Sequence, residues 1–185
     1  MERRSRLHFL IAAAILILTA IFASAAQARV FMTQQQALAG AFPAGTKVTR
    51  QALFLSPEQS TAAQKESGVE FKDRMIVRYA GTNAAGVVIG YAYFDTHMVR
   101  TLPETVMVVV NAKSEVEKIE ILSFDEPPDY FPRQRWLDQF DGRRLDDDLS
   151  LKRKIRPISG ASLSGRAIVN ASRKVLALHR VLGGK

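Results

Sequence analysis

The clearest pattern in this sequence lies at its N-terminus and limits both where the protein works and which residues form its domain. A basic stretch, Glu2-Arg3-Arg4-Ser5-Arg6, precedes an apolar run from Leu10 to Ala23, and small residues follow, ending in Ala26-Gln27-Ala28. This three-part pattern is typical of a secretory signal peptide. A retained membrane anchor is the alternative, disfavoured because the run is shorter than the ~20 apolar residues of a spanning helix. We therefore expect residues 1–28 to be removed on export to the periplasm and residues 29–185 to form one domain.

Charge and cysteine content narrow the function classes. The chain carries a formal charge of +8, and since the signal peptide holds three Arg and one Glu, +6 remains after its removal. The charges are interleaved except at Lys152-Arg153-Lys154, so they favour an anionic partner or a membrane surface only weakly, and export disfavours nucleic acid. The absence of Cys excludes disulfides, thiolate metal sites and thiol redox chemistry. With three His, one of them in the signal peptide, no metal site is predicted, and a redox function would need a bound cofactor.

Capping boxes and alternating residues predict the order of helices and strands. Thr33 with Gln36 and Ser56 with Gln59 each begin a helix, and these helices end at Gly40 and Gly68. Two further helices are predicted from Pro132 to Phe140 and from Ser164 to Leu182. The predicted strands are Lys47–Leu55, Arg74–Tyr79, Val87–Phe94, Glu104–Val110 and Val116–Phe124. Together they predict an α+β fold, an antiparallel sheet built from hairpins with helices packed on one side.

The segment before the last helix is the strongest candidate for chemistry. Hydroxyl and small residues alternate there, in Ile158-Ser159-Gly160-Ala161-Ser162-Leu163-Ser164, and basic residues lie just upstream, in Lys152-Arg153-Lys154 and at Arg156. Free backbone N–H groups and the positive end of the helix dipole favour an anion such as phosphate at a helix start. An ordinary helix cap is the alternative interpretation.

The same segment resembles a known attachment motif. Ser159-Gly160-Ala161-Ser162, followed by a basic amphipathic helix, is similar to the Ser-Gly-Ala-Thr motif of the FMN-binding domain family, which includes flavin-carrying periplasmic subunits of the Na⁺-translocating NADH:quinone reductase and the Rnf complex. The stretches Phe94–Thr105, Glu126–Tyr130 and Arg135–Phe140 resemble small stand-alone exported members. The resemblance implies FMN as cofactor, held through a phosphoester at Ser162 that an FAD:protein FMN transferase installs, and a membrane-bound redox protein or complex as partner.

Two departures from the motif leave the mode of FMN attachment open. Ser162 replaces the usual Thr, and Arg156 replaces an Asp three residues before the first Ser. Arg156 is also a candidate phosphate ligand. Ser159, Gly160, Ala161 and Ser164 complete the candidate loop.

Three residues between the two hairpins are further candidates for contact with the flavin. His97, Arg100 and Glu104 lie in a strand–loop–strand segment; the alternative is a surface turn with an Arg100–Glu104 ion pair. The aromatic residues Tyr91, Tyr93, Phe94 and Trp136 are candidates for stacking on the flavin or for the core. Glu126 and Asp129 are expected to cap the helix that follows them.

Three functions follow from these patterns. The first is an exported flavoprotein that relays electrons between a membrane redox partner and an extracytoplasmic acceptor, and is a carrier rather than a stand-alone enzyme. The second is a flavin-free binding module that acts through protein or membrane-surface contacts. The third is a hydrolase with Ser162 or Ser164 as nucleophile, which lacks a convincing base because neither His97 nor His179 has the context of a catalytic triad.

Overall fold

A computed structural model describes residues 30–184 of the chain. The expected signal peptide, residues 1–28, lies outside these residues. Within them, no helix combines the length and the apolar character that crossing a membrane requires.

A five-stranded antiparallel sheet forms the centre of the domain, and its strands follow one another in chain order. Each strand pairs antiparallel with the next, as expected for successive hairpins. The strands are β1 (Lys47–Phe54), β2 (Met75–Thr82), β3 (Val88–Met98), β4 (Pro103–Asn111) and β5 (Val116–Phe124). The sequence therefore predicted every strand to within a few residues, and the α+β class is confirmed.

Four helices pack on this sheet: α1 (Gln34–Ala39), α2 (Pro57–Ser67), α3 (Gln134–Leu137) and α4 (Ser162–Val181). Both predicted capping boxes form, with Thr33 and Ser56 as the capping residues. The helix predicted from Pro132 to Phe140 is shorter than expected. It consists of α3 and a 3₁₀ turn at Asp138–Phe140, and another 3₁₀ turn lies at Pro128–Tyr130.

The helices cover both faces of the sheet. On one face α4 packs against β3 and β4, α2 packs against α4, and the core there includes Val108, Ile119, Ile168 and Val175. On the other face Ala37 of α1 belongs to a smaller cluster, together with Ala41, Met107, Val109 and Leu122. The prediction that all helices lie on one side is therefore wrong, because α1 covers the second face. As a result, residues 106–110 of β4 are fully buried on both faces.

The direction of α4 brings its first turn to the loop between β3 and β4. Near the helix C-terminus, His179 Nδ1 lies 3.0 Å from the hydroxyl of Tyr93. Farther back along the helix, Lys174 Nζ lies 2.7 Å from Asp95 Oδ1. Since α4 runs backwards along β3 in this way, its N-terminus comes next to residues 99–102, where β3 ends.

Candidate functional site

The segment 158–164 turns sharply into α4 and leaves backbone donors free. Gly160 has a φ of +77°, which its lack of a Cβ permits, and Ala161 occupies the cap position with no side-chain hydrogen bond. The first backbone bond of the helix runs from the Gly165 N–H to the Ala161 carbonyl, at 3.1 Å. Within residues 30–184 the N–H groups of residues 162–164 have no acceptor. The start of α4 therefore presents three unpaired donors.

A cavity of about 280 Å³ lies between this helix start and the β3–β4 loop. Its wall brings together five of the residues selected from the sequence, Arg100, Gly160, Ala161, Ser162 and Ser164, with Leu163 between the last two. The rest of the lining is Val99, Glu126 and Tyr130. The cavity therefore joins segments that lie about sixty residues apart in the chain.

Glu126 organises the loop that forms one wall of this cavity. Its Oε1 accepts the N–H groups of Arg100, Thr101 and Leu102 at 3.0, 2.7 and 3.0 Å. Burial raises the pKa of this carboxyl, but the three N–H donors outweigh it and hold the pKa below its ordinary value. The expected role of Glu126 as a helix cap is wrong, since the 3₁₀ turn that follows has no side-chain cap.

The serines of the segment differ in their accessibility. Ser162 is exposed and lines the cavity, whereas Ser164 is only 1% exposed. Ser159 is exposed but is not part of the cavity lining. Ser162 is therefore the hydroxyl of the motif that is both solvent-accessible and part of the cavity.

Arg156 lies outside the cavity. Its N–H donates to Gln139 Oε1 at 2.9 Å, and its carbonyl accepts from the indole Nε1 of Trp136 at 2.6 Å. Its side chain lines a separate groove together with Arg133 and Arg135. The structure thus does not bring Arg156 together with the other candidate residues.

His97 and Glu104 belong to a partly buried ionic cluster and are not part of the cavity lining. His97 Nδ1 lies 2.9 Å from Asp95 Oδ2, and His97 Nε2 lies 3.0 Å from Glu104 Oε2. Lys174 completes the cluster through Asp95. Glu104 is fully buried, and in the described chain it pairs with His97 and not with Arg100. The alternative of an Arg100–Glu104 ion pair in a surface turn is therefore wrong.

The cluster shifts the titration of its members. Burial lowers the pKa of His97, but the two carboxylates act against it more strongly and raise the pKa to about 9. Burial raises the pKa of Glu104, whose Oε1 has no partner in residues 30–184. Sequence analysis missed Asp95 and Lys174. Side chains two residues apart on a strand share a face, so the position of Asp95 two residues before His97 on β3 could have indicated Asp95.

The aromatic side chains proposed for flavin stacking lie elsewhere in the fold. Tyr93 is buried in the core, Phe94 packs edge-on against Tyr79, and Trp136 packs against Phe140. The aromatic ring in the cavity wall is Tyr130, with the guanidinium of Arg100 6.0 Å from its centroid. Sequence analysis did not select Tyr130 because a lone Tyr after two prolines has no periodic pattern.

Comparison with known proteins found a family whose model matches the part of the chain that contains most of this site. The family model described as the FMN-binding domain matches residues 102–177, which run from the start of β4 into α4 and include Glu126, Tyr130 and the segment 158–164. The search of curated proteins and the search of solved structures returned no match. Residues 102–177 are thus similar to the FMN-binding domain family, and the match indicates FMN as the cofactor.

Proposed function

We propose that this protein is an exported flavoprotein that holds FMN at the start of α4 and carries electrons between a membrane-bound redox partner and an extracytoplasmic acceptor. The observation that carries the proposal is the group of three unpaired N–H donors at residues 162–164, set in the wall of a cavity. A helix start with free donors favours a phosphate group, because the donors and the positive end of the helix dipole both attract it.

The charges around the cavity suit the phosphate of FMN. Arg100 is exposed and lines the wall, and its planar guanidinium can bind two phosphate oxygens at once. Glu126 is the carboxylate in the lining, but three backbone N–H groups already compensate its charge. An anion at residues 162–164 therefore meets little opposing charge from Glu126.

Ser162 is the residue we propose for covalent attachment. On an exported FMN transferase, its hydroxyl would lose its proton and bond to the phosphorus in the FMN half of FAD. The bond between that phosphorus and AMP would break, and AMP would leave. Ser supports the same phosphoester as the Thr of the family motif. Arg156 replaces the motif's Asp, but its side chain lies in the separate groove and so does not block access to Ser162.

The chain's own residues would bind and orient the cofactor. FMN supplies one- and two-electron chemistry when bound, which a chain without Cys cannot supply itself. Residues 160–164 and Arg100 would fix the phosphate end, and Tyr130 is the aromatic surface available to the rest of the molecule. Such a site has the parts of a carrier: it holds a redox group near the protein surface.

Absorbance and intact mass together test this function. We expect the purified protein to absorb in the flavin bands, and its mass to increase by one FMN phosphoester when the transferase is co-expressed. FMN that is lost on denaturation would show binding without attachment at Ser162. Protein that takes up no flavin under either condition would contradict the proposal and favour a flavin-free binding module.

Fractionation and an electron-transfer assay test the remaining parts. We expect the protein isolated from its host to begin at Arg29 or Ala26 and to occur in the periplasmic fraction. Full-length protein beginning at Met1 in the cytoplasm would contradict export. Membranes supplied with an electron donor should bleach the flavin absorbance of the protein, and a flavin that stays oxidised with every donor would contradict the carrier role.

A further inference from the structure

We infer that the groove beside α3 is a docking site for an acidic segment of a partner protein. This basic groove has a volume of about 620 Å³. Its cations are Arg133, Arg135, Arg143, Lys154 and Arg156, and its remaining lining consists of Trp136, Gln139 and Pro157. The inference stands on this groove alone and does not require a bound flavin.

The charge of the basic groove is largely uncompensated. In the described part of the chain, the four arginines of the groove have no carboxylate within ion-pair distance. Lys154 differs, since its Nζ lies 2.7 Å from Asp146 Oδ2. Among residues 30–184, no Asp or Glu lines the wall. Four guanidinium groups, which stay charged at any physiological pH, therefore face one concave surface.

The basic run that the sequence suggested is not this site. Arg153 pairs with Asp148 at 3.3 Å, and Lys154 pairs with Asp146 and, at 3.9 Å, with Asp148. The acidic residues that follow α3 thus neutralise much of Lys152-Arg153-Lys154. The uncompensated charge belongs instead to arginines spread over residues 133–156, which only the fold brings together.

The floor of the basic groove is held by hydrogen bonds. Gln139 accepts the N–H of Arg156 through its side chain and the Nε of Arg143 through its carbonyl. Trp136 donates from its indole to the Arg156 carbonyl. These bonds fix the backbone and one guanidinium before any partner arrives. Preorganised donors lose less conformational entropy on binding, so the groove is suited to a defined ligand.

The shape and chemistry of the groove favour carboxylates on a protein segment. Arginine forks bind carboxylates with two parallel hydrogen bonds, and an indole offers an apolar surface to the chain between them. A lipid bilayer is a poorer fit, because the groove is concave and none of its residues is among the large exposed apolar side chains that could insert into a membrane. We therefore choose an acidic protein segment as the occupant.

The position of the basic groove gives such a partner access to the flavin domain. Trp136 lies between the groove and the first turn of α4, since a Cβ added at Gly165 would lie 3.3 Å from its Cζ2. Arg156 and Pro157 line the groove and residues 160–164 line the cavity, so one short stretch of chain borders both. A partner held by its acidic segment in the groove would sit next to the site proposed for FMN.

The test uses the protein as it is isolated, with a fluorescein-labelled hexaglutamate peptide as the probe. Trp136 is the only Trp of the chain, so its emission reports on the groove directly. We expect the peptide to bind, to change this emission, and to bind more weakly as NaCl is added, because salt screens exposed charges. The double variant Arg133→Glu/Arg135→Glu should bind the peptide at least about tenfold more weakly, which corresponds to a loss of ~1.4 kcal/mol or more in binding free energy.

The matched control is Lys47→Glu/Arg50→Glu, which changes the net charge equally on exposed residues of β1. It should bind the peptide like wild type. Equal weakening by the control would overturn the inference, since binding would then follow net charge. The inference is also overturned if inorganic phosphate at the peptide's concentration reproduces the emission change, or if phosphatidylglycerol vesicles bind and the peptide does not. If the charge-reversed variant Arg133→Glu/Arg135→Glu does not fold, Arg133→Gln/Arg135→Gln repeats the test. Flavin absorbance measures FMN binding independently of peptide binding.

Discussion

At the scale of single residues, burial distinguishes serines that the sequence presents as equivalent. Ser159, Ser162 and Ser164 lie within six residues and share the same chemistry. Ser164 is buried in the first turn of α4, whereas Ser162 is exposed and lines the cavity. The phosphoester that we propose requires a hydroxyl that a modifying enzyme can reach. The structure therefore supports Ser162 as the acceptor more strongly than the motif does alone.

The variant Ser162→Ala should abolish the covalent FMN mass increment and leave the fold nearly unchanged. The side chain of Ser162 is exposed, and surface substitutions of this kind usually change the free energy of unfolding by no more than about 0.5 kcal/mol. Intact mass after co-expression with the transferase measures the first effect and urea unfolding the second. Ser159→Ala is the control and should keep the increment. An increment that persists in Ser162→Ala would place the attachment elsewhere.

A second residue-scale prediction concerns Glu126. Glu126→Ala removes the acceptor of three backbone N–H groups, so the loop that carries Arg100 loses its anchor. We expect a loss of about 1–3 kcal/mol in the free energy of unfolding, measured by urea titration, together with weaker noncovalent FMN binding. Glu117→Ala is the matched control, because Glu117 is exposed on β5. Equal stability of Glu126→Ala and wild type would contradict the anchoring role.

At the scale of elements, the start of α4 depends on a close contact with Trp136. Gly165 lies within the first turn, and a Cβ there would lie 3.3 Å from Trp136 Cζ2 and 3.5 Å from Leu151 Cδ2. Trp136 cannot move freely, since its indole N–H is bonded to the Arg156 carbonyl. The glycine therefore sets how closely the start of α4 approaches Trp136 and Leu151.

Gly165→Val should destabilise the protein by about 1–3 kcal/mol, because the added isopropyl group overpacks this contact. Gly165→Ala should cost less, since the gain of ~1 kcal/mol in helix propensity offsets part of the strain. Urea unfolding and the emission of Trp136 measure both effects. Gly40→Val is the control, because a Cβ at Gly40 meets nothing closer than 3.8 Å. A Gly165→Val variant as stable as its control would show that the contact is not tight.

The elements themselves could be predicted because their determinants are local. The caps at Thr33 and Ser56 lie within three residues of their partners, and alternation defines each strand within its own length. The face that a helix covers is not local information, which explains the wrong prediction for α1. The continuous apolar run Met107-Val108-Val109-Val110 is the one local sign that β4 is buried on both faces and that helices cover both.

The candidate site was predictable only in part, for the same reason. The motif at 159–162 is contiguous, so the sequence revealed it. The cavity also needs Glu126 and Tyr130, whose roles depend on how the β3–β4 loop meets α4. His97 and Glu104 were selected for contact with the flavin, whereas in the structure they form a cross-strand pair outside the cavity lining. Their place in a partly buried cluster depends on Lys174, about seventy residues farther along the chain.

At the scale of the whole molecule, a half-buried histidine, His97, and a buried one, His179, are held in opposite protonation states. His97 lies between two carboxylates, and its pKa is raised to about 9. His179 lies against Tyr93 with its Nε2 buried and without a partner in the described chain, and burial, with Arg78 nearby, lowers its pKa to about 4. The folded protein therefore favours a charged imidazole at one site and a neutral one at the other.

These opposite shifts predict an optimum of stability near the ordinary His pKa of about 6.5. The unfolded chain protonates His179 more readily than the folded chain does. The contribution of His179 to the free energy of unfolding is therefore present above pH 6.5 and is lost as the pH falls towards 4. The folded chain holds the proton of His97 more tightly than the unfolded chain does. The contribution of His97 to the free energy of unfolding is therefore present below pH 6.5 and is lost as the pH rises towards 9.

Two variants separate the two limbs of this pH profile. His179→Gln should flatten the acid limb and leave the alkaline limb unchanged. His97→Gln/Glu104→Gln should do the reverse, and the second substitution keeps Glu104 from remaining as an unpaired buried charge. Along each limb the free energy of unfolding should change by on the order of 3 kcal/mol, since each unit of pKa shift corresponds to ~1.36 kcal/mol. Urea unfolding between pH 4 and 9 measures both limbs. If one variant flattens both limbs equally, the two histidines are not independent, and the opposite protonation states argued for them are wrong.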